Sequence, residues 1–194
     1  MPEIRDISHS ALIVSASEKF TLLVRNALSG FIAIDIRKSV SLARRCILER
    51  YYDLVVVNSP LPDETGEDFV IDVTEKCNAS VLFVVPQDSF EDVFNHVTER
   101  GVLVAPKPAP RGRLEQAIKF LQGFQNRINK LQAKAEAASE RLEEMKLLTQ
   151  AKFRLMEKKG MTENEAHQAI GKQAMDNCIS KRRAAELILD ELEG

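Results

Sequence analysis

The C-terminal part of the chain places basic side chains where they are unfavourable unless an anion faces them. Ser180 is a candidate N-cap of a short helix, and Lys181, Arg182 and Arg183 occupy the first turn of that helix. Positive charges there oppose the helix dipole, at a cost of a few tenths of a kcal/mol each. Their placement is a weak indication of a phosphate-bearing partner, so the chemistry it suggests is binding.

Catalytic chemistry has little support in the sequence. The three histidines are scattered, without a nucleophile or a companion at metal-ligand spacing, and the three cysteines form no CxxC pair. We therefore predict no enzyme activity, no metal site and no cofactor. No apolar run approaches the roughly 20 residues that a membrane span needs, and no signal peptide precedes the first predicted strand. We expect a cytoplasmic protein without a membrane partner.

Three short helices are predicted to position the basic residues of the segment 151–189. Gly160 is a helix stop, because glycine takes the left-handed conformation at a helix end without steric cost. Thr162 and Glu165 have the spacing of a capping box, which starts the second helix. The third helix follows Ser180. These helices are too short to bury much surface, so the residues alone define a small helical module with a basic face.

The same segment resembles the ANTAR domain, the RNA-binding module of bacterial transcription antiterminators. The resemblance rests on Ala151-Lys152, Met156-Glu157, Gly160, Thr162-Glu163-x-Glu165-Ala166, Ala174-Met175-Asp176 and Ser180-x-Arg182-x-Ala184-Ala185-Glu186. It implies binding to paired hairpin loops in a nascent leader transcript, which prevents formation of the terminator hairpin. Lys181 and Arg183 depart from the family pattern, in which apolar and acidic residues are usual.

Five basic residues are the candidate RNA contacts. Lys152 and Arg182 stand at positions that match the family pattern, whereas Arg154, Lys172 and Lys181 are chosen for their charge alone. Each of the latter three could equally be a solvated surface residue.

Splayed bases usually stack on aromatic rings or guanidinium groups, and Phe153 is the only aromatic residue of the module. Arginine and aliphatic contacts must therefore carry more of the recognition. We expect Met175 to belong to the core of the module.

Charge is unevenly divided along the chain. Residues 1–110 contain 11 Lys/Arg and 16 Asp/Glu, whereas residues 111–194 contain 16 and 13. A mildly basic second half fits a nucleic-acid partner, although solvated helix surface explains the same balance.

The first half of the chain alternates short apolar runs with amphipathic helical patterns. Such alternation predicts a parallel sheet covered on both faces, and we predict an α/β, flavodoxin-like, doubly wound parallel sheet. Sites in this fold form at the carboxyl ends of strands. The five predicted strands are 11–14, 31–36, 53–57, 80–85 and 101–105.

The predicted strand ends resemble those of a response-regulator receiver domain. The resemblance rests on the segment from Asp53 to Asn58, on Pro62-Asp63 and Gly66, and on Lys107-Pro108. It implies a phosphoacceptor aspartate, two acidic Mg²⁺ ligands after the first strand, and a Ser or Thr after the fourth.

At those places this chain has Asn58, then Ser15 and Ala16, then Val85; Lys107 alone matches. An amide is a poor nucleophile, and Mg²⁺ prefers carboxylate oxygens. We therefore predict a pseudo-receiver that is not phosphorylated by the usual route.

The role of Lys107 is left open by the sequence. It could hydrogen-bond Asn58, reach Asp63 or Glu64, or be an exposed loop lysine. The domain itself could be a scaffold for dimerisation, or a sensor for a protein partner or a small ligand.

A long helical segment follows, in which apolar residues recur with the heptad spacing of a left-handed coiled coil. We predict a parallel homodimer, with an antiparallel hairpin within one chain as the alternative. The predicted domains are a pseudo-receiver (1–110), a coiled-coil linker helix (111–148) and a three-helix ANTAR bundle (149–194). The predicted dimer seam contains Leu114, Leu121, Phe124, Ile128, Leu131, Leu142 and Met145.

Two classes of function fit these observations. One is an RNA-binding antiterminator that acts as a dimer. The other is a protein-interaction module, whose pseudo-receiver binds a partner and whose helical tail is regulatory or binds DNA.

Overall fold

A computed structural model describes residues 9–193, and packing divides the chain into two units, residues 1–129 and 130–194. The strands are β1 Ser10–Val14, β2 Ala33–Arg37, β3 Leu54–Asn58, β4 Ser80–Val85 and β5 Val102–Pro106. The helices are α1 Glu18–Ala27, α2 Val40–Glu49, α3 Glu67–Lys76, α4 Phe90–Val97, α5 Arg111–Lys159, α6 Glu163–Asp176 and α7 Lys181–Glu193. Short 3₁₀ turns flank α4.

The first unit is a five-stranded parallel sheet with the order β2-β1-β3-β4-β5. This order is that of a flavodoxin-like doubly wound sheet, so the predicted fold class is confirmed. Strand β3 lies between β1 and β4, and every residue of β3 and β4 is buried. Central strands covered on both faces need such continuous apolar sequence. The carboxyl ends of β1 and β3 are therefore neighbours at the point where the strand order reverses.

Each face of the sheet has its own apolar core. One face packs against α2, α3 and α4, around Phe69, Val70 and Val73. The other face packs against α1 and the first turns of α5.

The beginning of α5 corrects part of the predicted dimer seam. Leu114 and Leu121 are 2% and 4% exposed, and with Ile118 they belong to the core of the first unit. Their side chains are covered by the sheet, so they are not available to a second copy. Two turns of a heptad seam and of an ordinary amphipathic helix have nearly the same apolar spacing, which is why the sequence suggested the wrong neighbour.

A buried amide marks the end of this docked part of α5. Gln125 is 3% exposed and accepts from the Ser80 hydroxyl at 2.7 Å. Its Nε2 donates to the backbone carbonyl of Asn78 at 2.6 Å. Because both ends of the amide are satisfied, it fixes this turn of α5 beside the start of β4.

The second unit contains the rest of α5 with α6 and α7. Gly160 has a φ of +65° and ends α5, as predicted. Thr162 and Glu165 form the predicted capping box, with reciprocal hydrogen bonds of 3.3 and 2.8 Å. Ser180 accepts from the backbone N–H of Arg183 at 3.2 Å and caps α7. The small core contains Ala151, Leu155, Ala166, Ile170, Ala174, Ala184, Ala185 and Ile188.

No helix within residues 9–193 is long and apolar enough to cross a membrane.

Candidate functional site

The carboxyl edge of the sheet brings Asn58 and Ser15 into contact. Both side chains are buried, and Asn58 Nδ2 donates to Ser15 Oγ at 3.0 Å. Ser15 Oγ also accepts from the backbone N–H of Ser17 at 3.1 Å. The other amide atom, Asn58 Oδ1, is buried without a hydrogen-bond partner among the described residues. The edge is therefore neutral where an ion site would need charge.

Lys107 follows β5 at the same edge and is partly buried. Its Nζ donates to the backbone carbonyl of Ser59, not to the side chains of Asn58, Asp63 or Glu64. Burial lowers the pKa of the Lys107 ammonium below its usual value. The structure thus excludes the exposed loop lysine, and it replaces the suggested side-chain partners with a main-chain oxygen.

Val85 and Ala16 are the other two residues at positions where a receiver domain has functional side chains. Val85 is buried in β4, and Ala16 is exposed after β1. Ser15, Ala16 and Asn58 provide no carboxylate, so the receiver's usual magnesium does not fit this edge. Within residues 9–193, no group of three or more His, Cys, Asp or Glu side chains could hold a metal ion.

Asp63 has a structural task close to this edge. Its carboxylate accepts from the backbone N–H groups of Val40 and Ser41, at 3.0 and 2.9 Å. These are free donors in the first turn of α2, and their hydrogen bonds lower the pKa of the Asp63 carboxyl below its usual value. The loop after β3 is therefore tied to α2.

In the second unit, the predicted RNA contact Lys152 joins α5 to α6. Its Nζ lies 2.6 Å from a carboxylate oxygen of Glu163, and this contact lowers the pKa of the Glu163 carboxyl. Surface ion pairs of this kind contribute little to stability, about 0–1 kcal/mol. The pair therefore orients Lys152 without preventing an exchange of partner.

Arg154 lies on the opposite side of α5 from Lys152, because two residues correspond to about 200° of helix rotation. It pairs with Glu157 one turn away, at 3.0 Å. Arg182, in the first turn of α7, lies 3.4 Å from Glu186 and 4.0 Å from Glu143 of α5. Glu143 and Arg154 are eleven residues apart, or about three helical turns, so they lie on the same face of α5 about 16 Å apart along its axis. The contact with Glu143 therefore places Arg182 on the side of α5 that carries Arg154.

Arg183 shares Glu186 with Arg182, at 2.9 Å, and the two guanidinium groups lower the pKa of that carboxyl. Lys172 and Lys181 are exposed, and no ion pair or side-chain hydrogen bond holds them within the part of the chain that the structure describes. Three of the five predicted contacts are thus paired with carboxylates and two are free. The spacing of Arg182 and Glu186 could have revealed their pair, since residues four apart are neighbours on a helix.

Phe153, the one aromatic residue of the module, is accessible. It is 67% exposed, and it lines a cavity of about 530 Å³ with Arg154, Gln150 and Leu189. Met175, expected in the core, is 76% exposed; only its neighbour Ala174 faces inward. Small helices bury one narrow stripe, and Met175 is one residue outside the stripe of α6.

The predicted seam is exposed beyond the first unit. Residues 131–140 are all exposed, and Leu131, Leu142 and Met145 are each more than half exposed. Phe124 is also exposed, and Ile128 is half-buried.

Solved receiver domains share the fold of the first unit. A signal receiver domain of an HD domain-containing protein from Pseudomonas fluorescens is 16% identical, with a TM-score of 0.56 over 63% of this chain and 93% of that chain. A CheY-like response regulator receiver domain protein from Methanospirillum hungatei is 17% identical, with a TM-score of 0.54 over 61% and 97%. The first unit therefore has a receiver-type fold.

The family assignment rests on a domain match within the second unit and on a relative whose match is longer than that unit. The ANTAR domain family matches residues 136–189. The transcriptional regulatory protein PdtaR of Mycobacterium tuberculosis is 31% identical over 141 residues, which are 72% of this chain and 68% of that protein. The chain belongs to the family of ANTAR response regulators, a family of RNA-binding antitermination regulators.

Proposed function

We propose that this chain binds paired hairpin loops of a nascent leader RNA and so regulates transcription antitermination. The observation that carries the proposal is the second unit itself, where the ANTAR match falls on three helices with an exposed aromatic ring and exposed cations. Lys172, Lys181 and Arg182 would contact phosphates near the α6–α7 turn, and Lys152 would contact a phosphate beside α5. Phe153 and Arg154 offer a ring and a guanidinium plane for splayed bases.

Dimerisation through α5 is part of the proposal. The helix from Leu131 to Met145 has apolar side chains at heptad spacing, and they are exposed in a single chain. A second copy would bury this stripe, and Phe124 and Ile128 would extend it toward the first unit. The functional division is then a receiver-like unit that includes the start of α5, a dimerising linker, and an RNA-binding bundle.

We further propose that the receiver-like unit takes no phosphoryl group by the usual route. Asn58 is a buried amide that donates to Ser15, and neither residue offers an anionic nucleophile or a hard ligand. The dimer would then be constitutive, or controlled by an input other than phosphorylation.

The test is binding of the purified 194-residue chain to a tandem-hairpin leader RNA, with single-hairpin RNA and duplex DNA of the same length as competitors. An RNA reader should prefer the tandem hairpins, and its log affinity should fall with log salt by about 0.7 to 0.9 per phosphate neutralised. Lys152→Ala and Arg182→Ala should each lower the affinity by about tenfold, the effect of losing roughly 1.4 kcal/mol of contact energy.

The ion pair of Lys152 provides a matched control. Glu163→Gln breaks the pair but keeps the cation, so RNA affinity should be unchanged or higher. An equal loss in Lys152→Ala and Glu163→Gln would show that Lys152 acts only by joining α5 to α6. Sedimentation of each variant shows whether it forms the same assembly as the unaltered chain.

The alternative function is a protein-interaction regulator. Glu91 and Asp92 give α4 an acidic first turn, and Phe94 beside them is 42% exposed. Absence of any preference for hairpin RNA would favour this alternative over the antiterminator.

A further inference from the structure

A second cavity lies at the carboxyl edge of the sheet, beside the residue that replaces the receiver's phosphoacceptor. It has a volume of about 530 Å³, within the range of about 300–1,000 Å³ that is usual for small-molecule sites. Phe20 and Leu23 of α1, Val84 of β4 and Pro108 after β5 provide apolar walls, and Asn58 lies among them. The site thus has room for a compact apolar body.

The charged groups of this cavity are of one sign. Lys107 and Lys19 are the ionisable residues that line it. No Asp or Glu lines it within the part of the chain that the structure describes. Lys107 is partly buried and bonds one main-chain carbonyl, so further N–H groups of its ammonium are available. Two lysine residues that line an apolar cavity favour an anion.

Asn58 adds a requirement for a hydrogen-bond donor. Its Nδ2 is held by Ser15, which leaves Oδ1 buried and without a partner in the described chain. A buried carbonyl oxygen without a donor is unfavourable. Rotation about the soft terminal torsion of the amide would bring Oδ1 toward the cavity, at the cost of the hydrogen bond from Nδ2 to Ser15. An O–H or N–H group that enters the cavity would satisfy it.

We propose that this cavity binds a small 2-hydroxy carboxylate with a branched apolar side chain. The carboxylate would pair with Lys107 and Lys19, the hydroxyl would donate to Asn58 Oδ1, and the side chain would pack between Phe20 and Pro108. A 2-amino acid fits less well, because its ammonium adds a third positive charge where no carboxylate compensates it. The inference builds on the proposal that Asn58 is not phosphorylated, and it is independent of RNA binding.

Calorimetric titration of the 194-residue chain tests the chemistry with three matched probes. 2-Hydroxy-4-methylpentanoate has every required group, 4-methylpentanoate lacks the hydroxyl, and 2-hydroxy-4-methylpentanamide lacks the charge. We expect the hydroxy acid to bind about 5- to 10-fold tighter than the plain acid and at least about tenfold tighter than the amide.

Variants then locate the site. Lys107→Met should lower affinity for the hydroxy acid at least about tenfold, and Asn58→Asp should abolish binding because a second carboxylate repels the first. Lys38→Met is the matched control, since Lys38 lines a different cavity on the other side of α1. Thermal unfolding of each variant shows whether the first unit is still folded.

Equal affinity for all three probes, no detectable binding of the hydroxy acid, or binding unaffected by Lys107→Met would overturn the inference. Intact-mass analysis after incubation with acetyl phosphate and Mg²⁺ is carried out in parallel. Phosphorylation of the unaltered chain would refute the pseudo-receiver proposal, whereas failed probe binding without phosphorylation would refute only the ligand.

Discussion

The carboxyl edge of the sheet and the three-helix unit depart from simple expectations in opposite ways. The sheet edge keeps the architecture of a receiver site, with the ends of β1 and β3 side by side, but Ser15, Ala16 and Asn58 carry no charge. The three-helix unit keeps its charges, but carboxylates pair with four of its cations, Lys152, Arg154, Arg182 and Arg183. Strand ends in the receiver arrangement cannot perform phosphoryl transfer when their side chains lack carboxylates. Lysine and arginine side chains that are paired with surface carboxylates can exchange those partners and still bind an anion.

The strongest test of this difference is to place carboxylates at the sheet edge. We propose that the unaltered chain takes no phosphoryl group, and replacing Ser15, Ala16 and Asn58 together by aspartate should make it one that acetyl phosphate labels in the presence of Mg²⁺. The reason is that the three carboxylates supply both the nucleophile and the metal ligands. Intact-mass spectrometry measures the label.

Asn58→Asp alone is the control for that experiment, because one carboxylate without further metal ligands should remain unlabelled. Labelling of this single variant would show that the metal ligands are not the limiting loss.

A substitution in the core of the second unit should lower the stability of that unit and leave the first unit unchanged. Ile170→Ala removes a 2% exposed side chain from a core of eight residues, five of which are alanine. We expect the free energy of unfolding of the second unit to fall by about 2–5 kcal/mol, with the first unit unchanged. Urea unfolding followed by hydrogen exchange resolves the units. Met175→Ala, at an exposed position of the same helix, should change stability by less than about 0.5 kcal/mol.

Phe153→Ala tests whether the three-helix unit uses more than charge. Loss of a stacking ring costs about 1–3 kcal/mol per base, so RNA affinity should fall roughly 5- to 150-fold. Filter binding at fixed salt measures it, and Phe153→Tyr should restore most of the affinity. A salt slope that stays the same in Phe153→Ala would separate base stacking from phosphate contact. Unchanged affinity would leave the cations as the whole site.

Asp63 offers the smallest effect, on the pH dependence of stability. Its folded-state pKa is lowered by the backbone donors of α2, so its contribution is present above the ordinary carboxyl pKa and is lost as pH falls through the lower folded value. Asp63→Asn should therefore weaken the dependence of the first unit's melting temperature on pH in the acid range. An unchanged acid profile would mean that other carboxylates dominate it.

Local signals in the sequence predicted the elements well. Continuous apolar runs predicted the bounds of all five strands to within about two residues. The capping-box spacing of Thr162 and Glu165 predicted the start of α6. Strands and helix caps depend mainly on residues that are close together in the chain, and the sequence gives those residues directly.

Features that depend on distant residues were predicted poorly. The apolar spacing of Leu114 and Leu121 fits a sheet or a second helix equally, and only the fold decides between them. The acceptor of Lys107 is a backbone oxygen, which no residue type signals. The residue types at Asn58 and Ser15 indicated the loss of charge, but the unpaired Oδ1 required the packed structure.

The exposed run of α5 from residue 131 to residue 140 also bears on the lifetime of the protein. A helical segment without tertiary packing opens readily, and an opened backbone is what a protease cleaves. In a dilute solution of single chains, cutting should begin there and release two stable fragments. In the dimer that we propose, a second copy covers the stripe, so at higher concentration the same bonds should resist cleavage and abundance itself would set the rate of turnover.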